Sequence, residues 1–199
     1  MNVRAAGDVR SPHKRATMKT LVIGLGNPIL GDDGVGWKVA EEVKAHLPSP
    51  LFPLPLGHVP DGVEGYRRQG EGINVEVDCL SLGGLSLMER MLGYDRVVLV
   101  DSMETGQGPV GSVRTFPLTS LPDPMAGHSA SAHDTSLITA LKTAESLGAD
   151  IPKQVEVVAV EAQNMYDFSE ELSPSVAAAV PEAVQIVFDL LQGAPHDLS

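Results

Sequence analysis

The stretch GLGNPILGDDGVG, residues 24–36, follows an apolar run and joins a glycine-rich turn to two adjacent carboxylates. Its glycines suggest a dinucleotide-binding turn, but Ile29 stands where that fingerprint needs its third glycine. The Lys-Ser/Thr pair of a phosphate-binding P-loop is also absent. Because Asp32 and Asp33 would repel a phosphate at the start of a helix, the stretch predicts a strand, turn and helix that bind no nucleotide cofactor.

Short apolar runs alternate with longer segments of helical periodicity on either side of this turn. The alternation predicts an α/β fold in which helices cover both faces of a mostly parallel sheet. We expect strands at residues 20–25, 73–79, 96–100, 112–118 and 154–160. Helical faces are expected at Val35, Val39, Ala40, Val43 and Leu47, at Leu137, Ile138, Leu141, Ala144 and Leu147, and at Val180, Val184, Val187, Leu190 and Leu191. No helix separates the third and fourth strands, so we expect the fourth to be antiparallel.

Composition limits the classes of partner. The chain has 199 residues and a net charge of -12, which repels nucleic acid and anionic lipid surfaces. A single cysteine, Cys79, allows no intramolecular disulfide and favours a reducing compartment. Residues 1–20 contain neither a signal peptide nor a membrane segment. We therefore expect a cytoplasmic protein with no nucleic-acid or membrane partner.

The chain length is that of one domain. Residues 1–17 are polar, basic and aperiodic, which predicts a disordered leader and makes Met18 an alternative start. We expect a single domain over residues 18–193, interrupted by a Pro- and Gly-rich loop at residues 49–72 and followed by a tail at residues 194–199.

Three donor side chains are predicted near the carboxyl ends of strands. Asp32 is expected to cap the helix that begins near Val35, which leaves Asp33 either as a solvated charge or as a ligand for a cation. Asp101 closes the third strand, where open α/β sheets bind ligands, although an aspartate there also starts turns. His133 falls in the first turn of a helix, between Ser131 and Asp134 at capping-box spacing.

The positive end of a helix disfavours an imidazolium, so His133 is expected to be neutral, the form that binds metals. A lone histidine at such a position is usually structural. Together, however, Asp33, Asp101 and His133 make an O,O,N donor set suited to a borderline divalent ion.

A competing hypothesis is a serine hydrolase. The sequence GHSAS, residues 127–131, is one residue short of the nucleophile-elbow motif, and Ser129, Asp167 and His196 would form its triad. That motif needs a strand directly before it, whereas PDPMAG precedes it here, which argues against the hypothesis. Cys79 is interpreted as a packing residue rather than a nucleophile.

Five segments together resemble the [NiFe]-hydrogenase maturation endopeptidases, in order and across residues 19–191. They are GLGNPILGDDGVG, VDCLSLGGLSLMERM, VVLVD, SAHDTSLITAL and VEAQNMYDFSEELSPSVAAAVPEAV. The resemblance implies a three-layer α/β/α sandwich around a mixed, mostly parallel five-stranded sheet. It also implies a nickel-recognising, catalytic site made of Asp33, Asp101 and His133.

The function that the resemblance implies is an aspartyl-type endopeptidase. It would remove the C-terminal extension of a hydrogenase large-subunit precursor after nickel insertion, with the nickel carried by the precursor. A non-cleaving, nickel-sensing chaperone of the same fold is the alternative. The chain departs from the family's Asp-Gly-Gly-Thr sequence at Asp78-Cys79-Leu80-Ser81, where both glycines are missing, and its loop at residues 49–72 is longer than in compact members.

Overall fold

The computed structural model of the protein describes residues 18–47, 74–121 and 132–193. These residues form strands β1 (Lys19–Leu25), β2 (Asn74–Leu80), β3 (Arg96–Met103), β4 (Val113–Pro117) and β5 (Gln154–Glu161), and helices α1 (Val35–His46), α2 (Gly84–Met91), α3 (Ala132–Ser146) and α4 (Pro174–Gln192). The predicted leader, the loop at residues 49–72 and the tail lie outside the described residues.

The five strands form one sheet in the order β2-β1-β3-β5-β4. Four strands are parallel, while β4 pairs with β5 in the antiparallel direction, as expected. The reason is the short connection at residues 104–112, which cannot carry the chain back across the sheet as a helical crossover does. The chain leaves β1 towards β2 on one side and β3 lies on the other. The carboxyl ends of β1 and β3 therefore flank a topological switch point, where such sheets bind ligands.

Side chains that alternate along each strand enter two cores, one on each face of the sheet. Val22 and Val98 pack with α1 and α4, whereas Leu21 and Leu99 pack with α2 and α3. This arrangement confirms the three-layer α/β/α sandwich. Buried valines and leucines of this kind each stabilise a fold by about 1.5–3 kcal/mol, so both helical layers are held firmly against the strands.

Helix α1 lies unusually close to β1 because two glycines face each other. A Cβ atom on Gly24 would lie 2.2 Å from the carbonyl oxygen of Gly36, and one on Gly36 would lie 2.3 Å from that of Leu25. In a dinucleotide-binding turn a third glycine allows this close packing. Here Gly36, on the helix itself, has that role, and it brings the turn between β1 and α1 onto the end of the sheet.

Two boundary predictions were wrong. Strand β3 does not end before Asp101 but continues to Met103, because its last residues still pair with β5. Leu147 was expected on the buried face of α3, yet it is 81% exposed, because the helix ends at Ser146 and Leu147 no longer follows the helical periodicity.

Helix α4 is, among the described residues, the one helix long and apolar enough to cross a membrane by length and composition. Six of its residues are buried, and they pack in the core on the α1 side of the sheet. This packing gives a structural reason for its apolar composition.

Candidate functional site

Asp33 lies in a short 3-10 turn, Gly31–Gly34, directly before α1. Its carboxylate is half-buried and accepts a hydrogen bond of 2.7 Å from the backbone N–H of Asn27. Gly26 makes this turn possible: its φ is +117°, and a Cβ there would lie 1.8 Å from the carbonyl oxygen of Asp33. The glycine-rich turn therefore holds a carboxylate at the position where a nucleotide-binding turn holds a phosphate.

Asp101 is buried near the carboxyl end of β3. Pairing between β1 and β3 stops at Val100, so Asp101 is the first residue of β3 beyond that ladder. Its Oδ1 accepts a hydrogen bond of 2.9 Å from the backbone N–H of Ser102. The residue thus lies at the switch point of the sheet, although within the strand and not after it.

Ser102 joins the two carboxylates. Its hydroxyl donates a hydrogen bond of 3.2 Å to Asp33 Oδ1, and its backbone N–H donates to Asp101. Both acidic side chains are therefore within hydrogen-bonding reach of one buried residue. Sequence reasoning missed Ser102, for which the only signal was a hydroxyl residue directly after Asp101.

Asp32 does not cap α1, contrary to expectation, because that helix begins after Gly34 with no side-chain cap. Its carboxylate is fully buried and accepts hydrogen bonds from the backbone N–H of Ser173 at 2.7 Å, the hydroxyl of Ser173 at 3.0 Å and the backbone N–H of Asn164 at 3.3 Å. Ser173 is the N-cap residue of α4. Asp32 therefore binds at the N-terminus of a different helix, α4.

His133 is the second residue of α3, as predicted for a first-turn position. Its side chain lies outside the described part of the structure, so its distance from the two carboxylates stays a prediction. Among the side chains that are described, no group of three His, Cys, Asp or Glu residues is close enough to hold a metal. Asp33 and Asp101 would thus contribute only part of a coordination shell.

Two other charged clusters have structural partners. Glu161, buried at the end of β5, accepts hydrogen bonds from the backbone and hydroxyl of Thr105 and from the backbone of Gly106, and it pairs with Arg114 at 3.1 Å. Burial alone would raise the pKa of Glu161, but these partners together lower it. On β2 and α2, Arg90 binds Glu76, Asp78 and Tyr94.

The described residues give little support to the alternative nucleophiles, the Cys79 thiol and the Ser129 hydroxyl. Cys79 is half-buried, its Sγ lies 3.9 Å from the backbone oxygen of Trp37, and burial raises its thiol pKa, which disfavours the reactive thiolate. Of the proposed serine triad only Asp167 is described, and it is exposed in the loop before α4. Ser129 and His196 lie outside the described residues.

The structure is therefore that of a three-layer α/β protein with two acidic side chains, Asp33 and Asp101, at the switch point of its sheet. Comparison with known proteins gives the family: the model of the hydrogenase maturation protease family, HycI, matches residues 67–190. The chain belongs to that family and is a protease of the hydrogenase maturation class.

Individual relatives agree with this assignment. The hydrogenase expression/formation protein HupD of Thiocapsa roseopersicina is 23% identical over 177 residues, which cover 89% of this chain and 69% of HupD. Among solved structures, the hydrogenase maturating endopeptidase HybD from Escherichia coli has a TM-score of 0.64 at 21% identity, covering 89% of this chain and 94% of HybD. A hydrogenase 2 maturation peptidase from a Thaumarchaeota archaeon has a TM-score of 0.53 at 25% identity, and the match covers 89% of this chain and 99% of that peptidase. The likeness to HybD supports the fold alone.

Proposed function

We propose that this protease removes the C-terminal extension of a [NiFe]-hydrogenase large-subunit precursor after nickel has been inserted. The observation that carries the proposal is the pair of carboxylates, Asp33 and Asp101, both hydrogen-bonded to Ser102 at the carboxyl edge of the sheet. Acidic residues gathered there suit a cation better than the phosphate that a glycine-rich turn usually binds.

Nickel is part of the substrate in this proposal. The precursor's cysteine thiolates hold the ion, and Asp33, Asp101 and His133 add oxygen and nitrogen donors to its shell. Divalent nickel accepts such mixed donors, and imidazole in particular suits it. A precursor without nickel would present no cation to the two carboxylates, so cleavage would depend on completed metal insertion.

Hydrolysis adds one water across the peptide bond. A carboxylate of the site accepts a proton as the water oxygen attacks the scissile carbonyl carbon, and the proton then passes to the leaving amine. The negative charge that develops on the carbonyl oxygen needs a positive partner, which the bound cation supplies. Half-burial of Asp33 strengthens these charge interactions relative to open water.

The decisive experiment is incubation of the purified protein with nickel-loaded and nickel-free large-subunit precursor. We expect the loaded precursor alone to lose a discrete C-terminal tail, identified by intact mass. Stable binding of the loaded precursor without shortening would instead indicate the non-cleaving chaperone. Cleavage that is indifferent to nickel would contradict the metal-dependent recognition.

A further inference from the structure

The segment between β5 and α4 exposes two aromatic side chains. Tyr166 is 79% exposed and Phe168 is 87% exposed, in a chain with only eight aromatic residues of Phe, Tyr and Trp type (4 Phe, 3 Tyr and 1 Trp). We call residues 164–171 the aromatic loop. Single exposed apolar side chains are common, but neighbouring aromatics beside a functional site are typical of interaction surfaces.

The aromatic loop is attached to the turn that carries Asp33. The backbone N–H of Gly31 donates to the carbonyl oxygen of Ser169 at 2.7 Å. The backbone N–H of Ser169 in turn donates to the carbonyl oxygen of Ile29 at 3.1 Å. The two segments touch so closely that a Cβ on Gly31 would lie 2.5 Å from the carbonyl oxygen of Asn164. These contacts hold Phe168, directly before Ser169, next to the turn.

Asp32 strengthens this attachment from inside the protein. Its backbone N–H donates to the carbonyl oxygen of Asn164 at 3.0 Å, while its carboxylate binds the N–H groups of Asn164 and Ser173. Ile29 is itself 46% exposed on the same unit. The exposed side chains of Ile29, Tyr166 and Phe168 therefore stand on two segments that backbone hydrogen bonds join to the turn carrying Asp33.

The charged side chains of the aromatic loop itself are all acidic. Asp167, Glu170 and Glu171 are exposed on the aromatic loop, and no lysine or arginine follows Lys153 in the sequence. A second copy of the chain, which also carries a net charge of -12, would bring like charges together here. A partner segment that combines apolar residues with lysine or arginine fits better, because cations also bind the faces of exposed aromatic rings.

We propose that Ile29 and the aromatic loop form the docking surface for the large-subunit precursor, which binds there through a basic and apolar segment outside the cleaved peptide bond. This inference rests on the proposed function, because it is the precursor that must bring its nickel to Asp33. The docking surface lies on the same hydrogen-bonded unit as Asp33, so a precursor held there is positioned over the site before cleavage.

The test compares two variants in the cleavage of nickel-loaded precursor. In the first, Tyr166→Ser and Phe168→Ser are combined. In the matched control, Leu147→Ser removes an equally exposed apolar side chain (81%) directly after the last residue of α3, outside the hydrogen-bonded unit that carries Asp33. We expect KM to rise about tenfold for the double variant with kcat within about twofold, as for truncation of interface anchors, and neither to change for the control.

A second arm tests the charge. Changing Asp167 and Glu170 to lysine leaves the aromatic rings in place, and we expect KM to rise again while the thermal unfolding temperature stays near that of the unaltered protein. Raising the ionic strength is expected to raise KM for the unaltered protein more than for this charge-reversed variant, because salt screens the attraction. An equal salt effect on both would count against a basic partner.

The outcomes separate this inference from the proposed function. If the unaltered protein does not shorten the precursor, the proposed function fails whatever the loop does. If the unaltered protein cleaves the precursor and the double variant has the same KM, the proposal of a docking surface at the aromatic loop is wrong. A dimer that the double substitution converts to monomer, seen by size-exclusion chromatography with light scattering, would show that a second copy occupies the surface and would equally overturn the inference.

Discussion

Ser102 Oγ lies 3.2 Å from Asp33 Oδ1, although 69 residues separate the two in sequence. The hydroxyl reaches across from β3 to the turn that follows β1, and the backbone N–H of the same residue binds Asp101. One residue thus binds both acidic side chains of the candidate site, Asp33 through its hydroxyl and Asp101 through its backbone N–H. A hydroxyl in this position holds the Asp33 carboxylate in one orientation and reduces the freedom it would lose on binding a cation.

Substitution of Ser102 tests this positioning role. We expect Ser102→Ala to weaken Ni²⁺ binding to the free protein about fivefold, which corresponds to the loss of one hydrogen bond of about 1 kcal/mol. Ser102→Thr keeps the hydroxyl and suits a strand, so it is expected to restore most of the affinity. Calorimetric titration with Ni²⁺ measures both. If Ser102→Ala and Ser102→Thr weaken Ni²⁺ binding equally, the effect comes from packing and not from the hydrogen bond.

The three proposed ligands give a second prediction. Asp33→Asn, Asp101→Asn and His133→Ala are each expected to abolish cleavage of nickel-loaded precursor, because the Asn substitutions remove a negative charge that attracts the cation and His133→Ala removes a nitrogen donor. The two Asn substitutions keep the side-chain shape, so folding is expected to persist. Intact-mass analysis of the precursor measures cleavage, and circular dichroism of each variant measures folding. Unchanged processing by all three folded variants would remove the site assignment.

The sequence predicts those features that depend on neighbouring residues. All five strands, the antiparallel direction of β4 and the buried face of α1 follow from short-range hydrophobic periodicity and from the length of one connection. Leu147 shows the limit of this reasoning, since it continues the helical pattern of α3 but stands one residue beyond the helix end. A periodic pattern cannot show where packing stops.

Partners that are distant in sequence could not be predicted. Asp32 has the spacing of a cap for α1, but its hydrogen-bond partner Ser173 lies 141 residues further along the chain. Local propensity favours the nearby helix, and only the folded arrangement of β1, β5 and α4 brings the more distant one to the carboxylate. The hydrogen bond from Ser102 to Asp33 could not be predicted for the same reason.

The buried contacts of Asp32 predict a large effect on stability. Asp32→Ala removes a fully buried acceptor for two backbone N–H groups and one hydroxyl, and leaves these partly buried donors without it. We expect the free energy of unfolding to fall by about 2–4 kcal/mol. Urea denaturation measures this loss, with Asp167→Ala on the exposed loop as a control expected to change stability by less than about 0.5 kcal/mol. A similar small effect at both positions would show that the Asp32 contacts contribute little.

Glu161 gives a prediction about pH. Burial opposes its charge, but hydrogen bonds from Thr105 and Gly106 and the charge of Arg114 outweigh burial and lower its pKa in the folded protein. Since the folded pKa lies below the unfolded one, its contribution to stability is complete above the unfolded carboxyl pKa of about 4.3 and is lost as the pH falls through the folded value.

Glu161→Gln tests this sign directly. The amide cannot titrate, so the variant is expected to be less stable than the unaltered protein at neutral pH and to approach it in acid. Urea unfolding over a series of acidic and neutral buffers measures the difference. Exposed Glu145, on α3, supplies the control for the substitution itself, since Glu145→Gln at an exposed position is expected to change the free energy of unfolding by less than about 0.5 kcal/mol. A stability difference between Glu161→Gln and the unaltered protein that stayed constant with pH would mean that Glu161 acts through the shape of its hydrogen bonds and not through its charge.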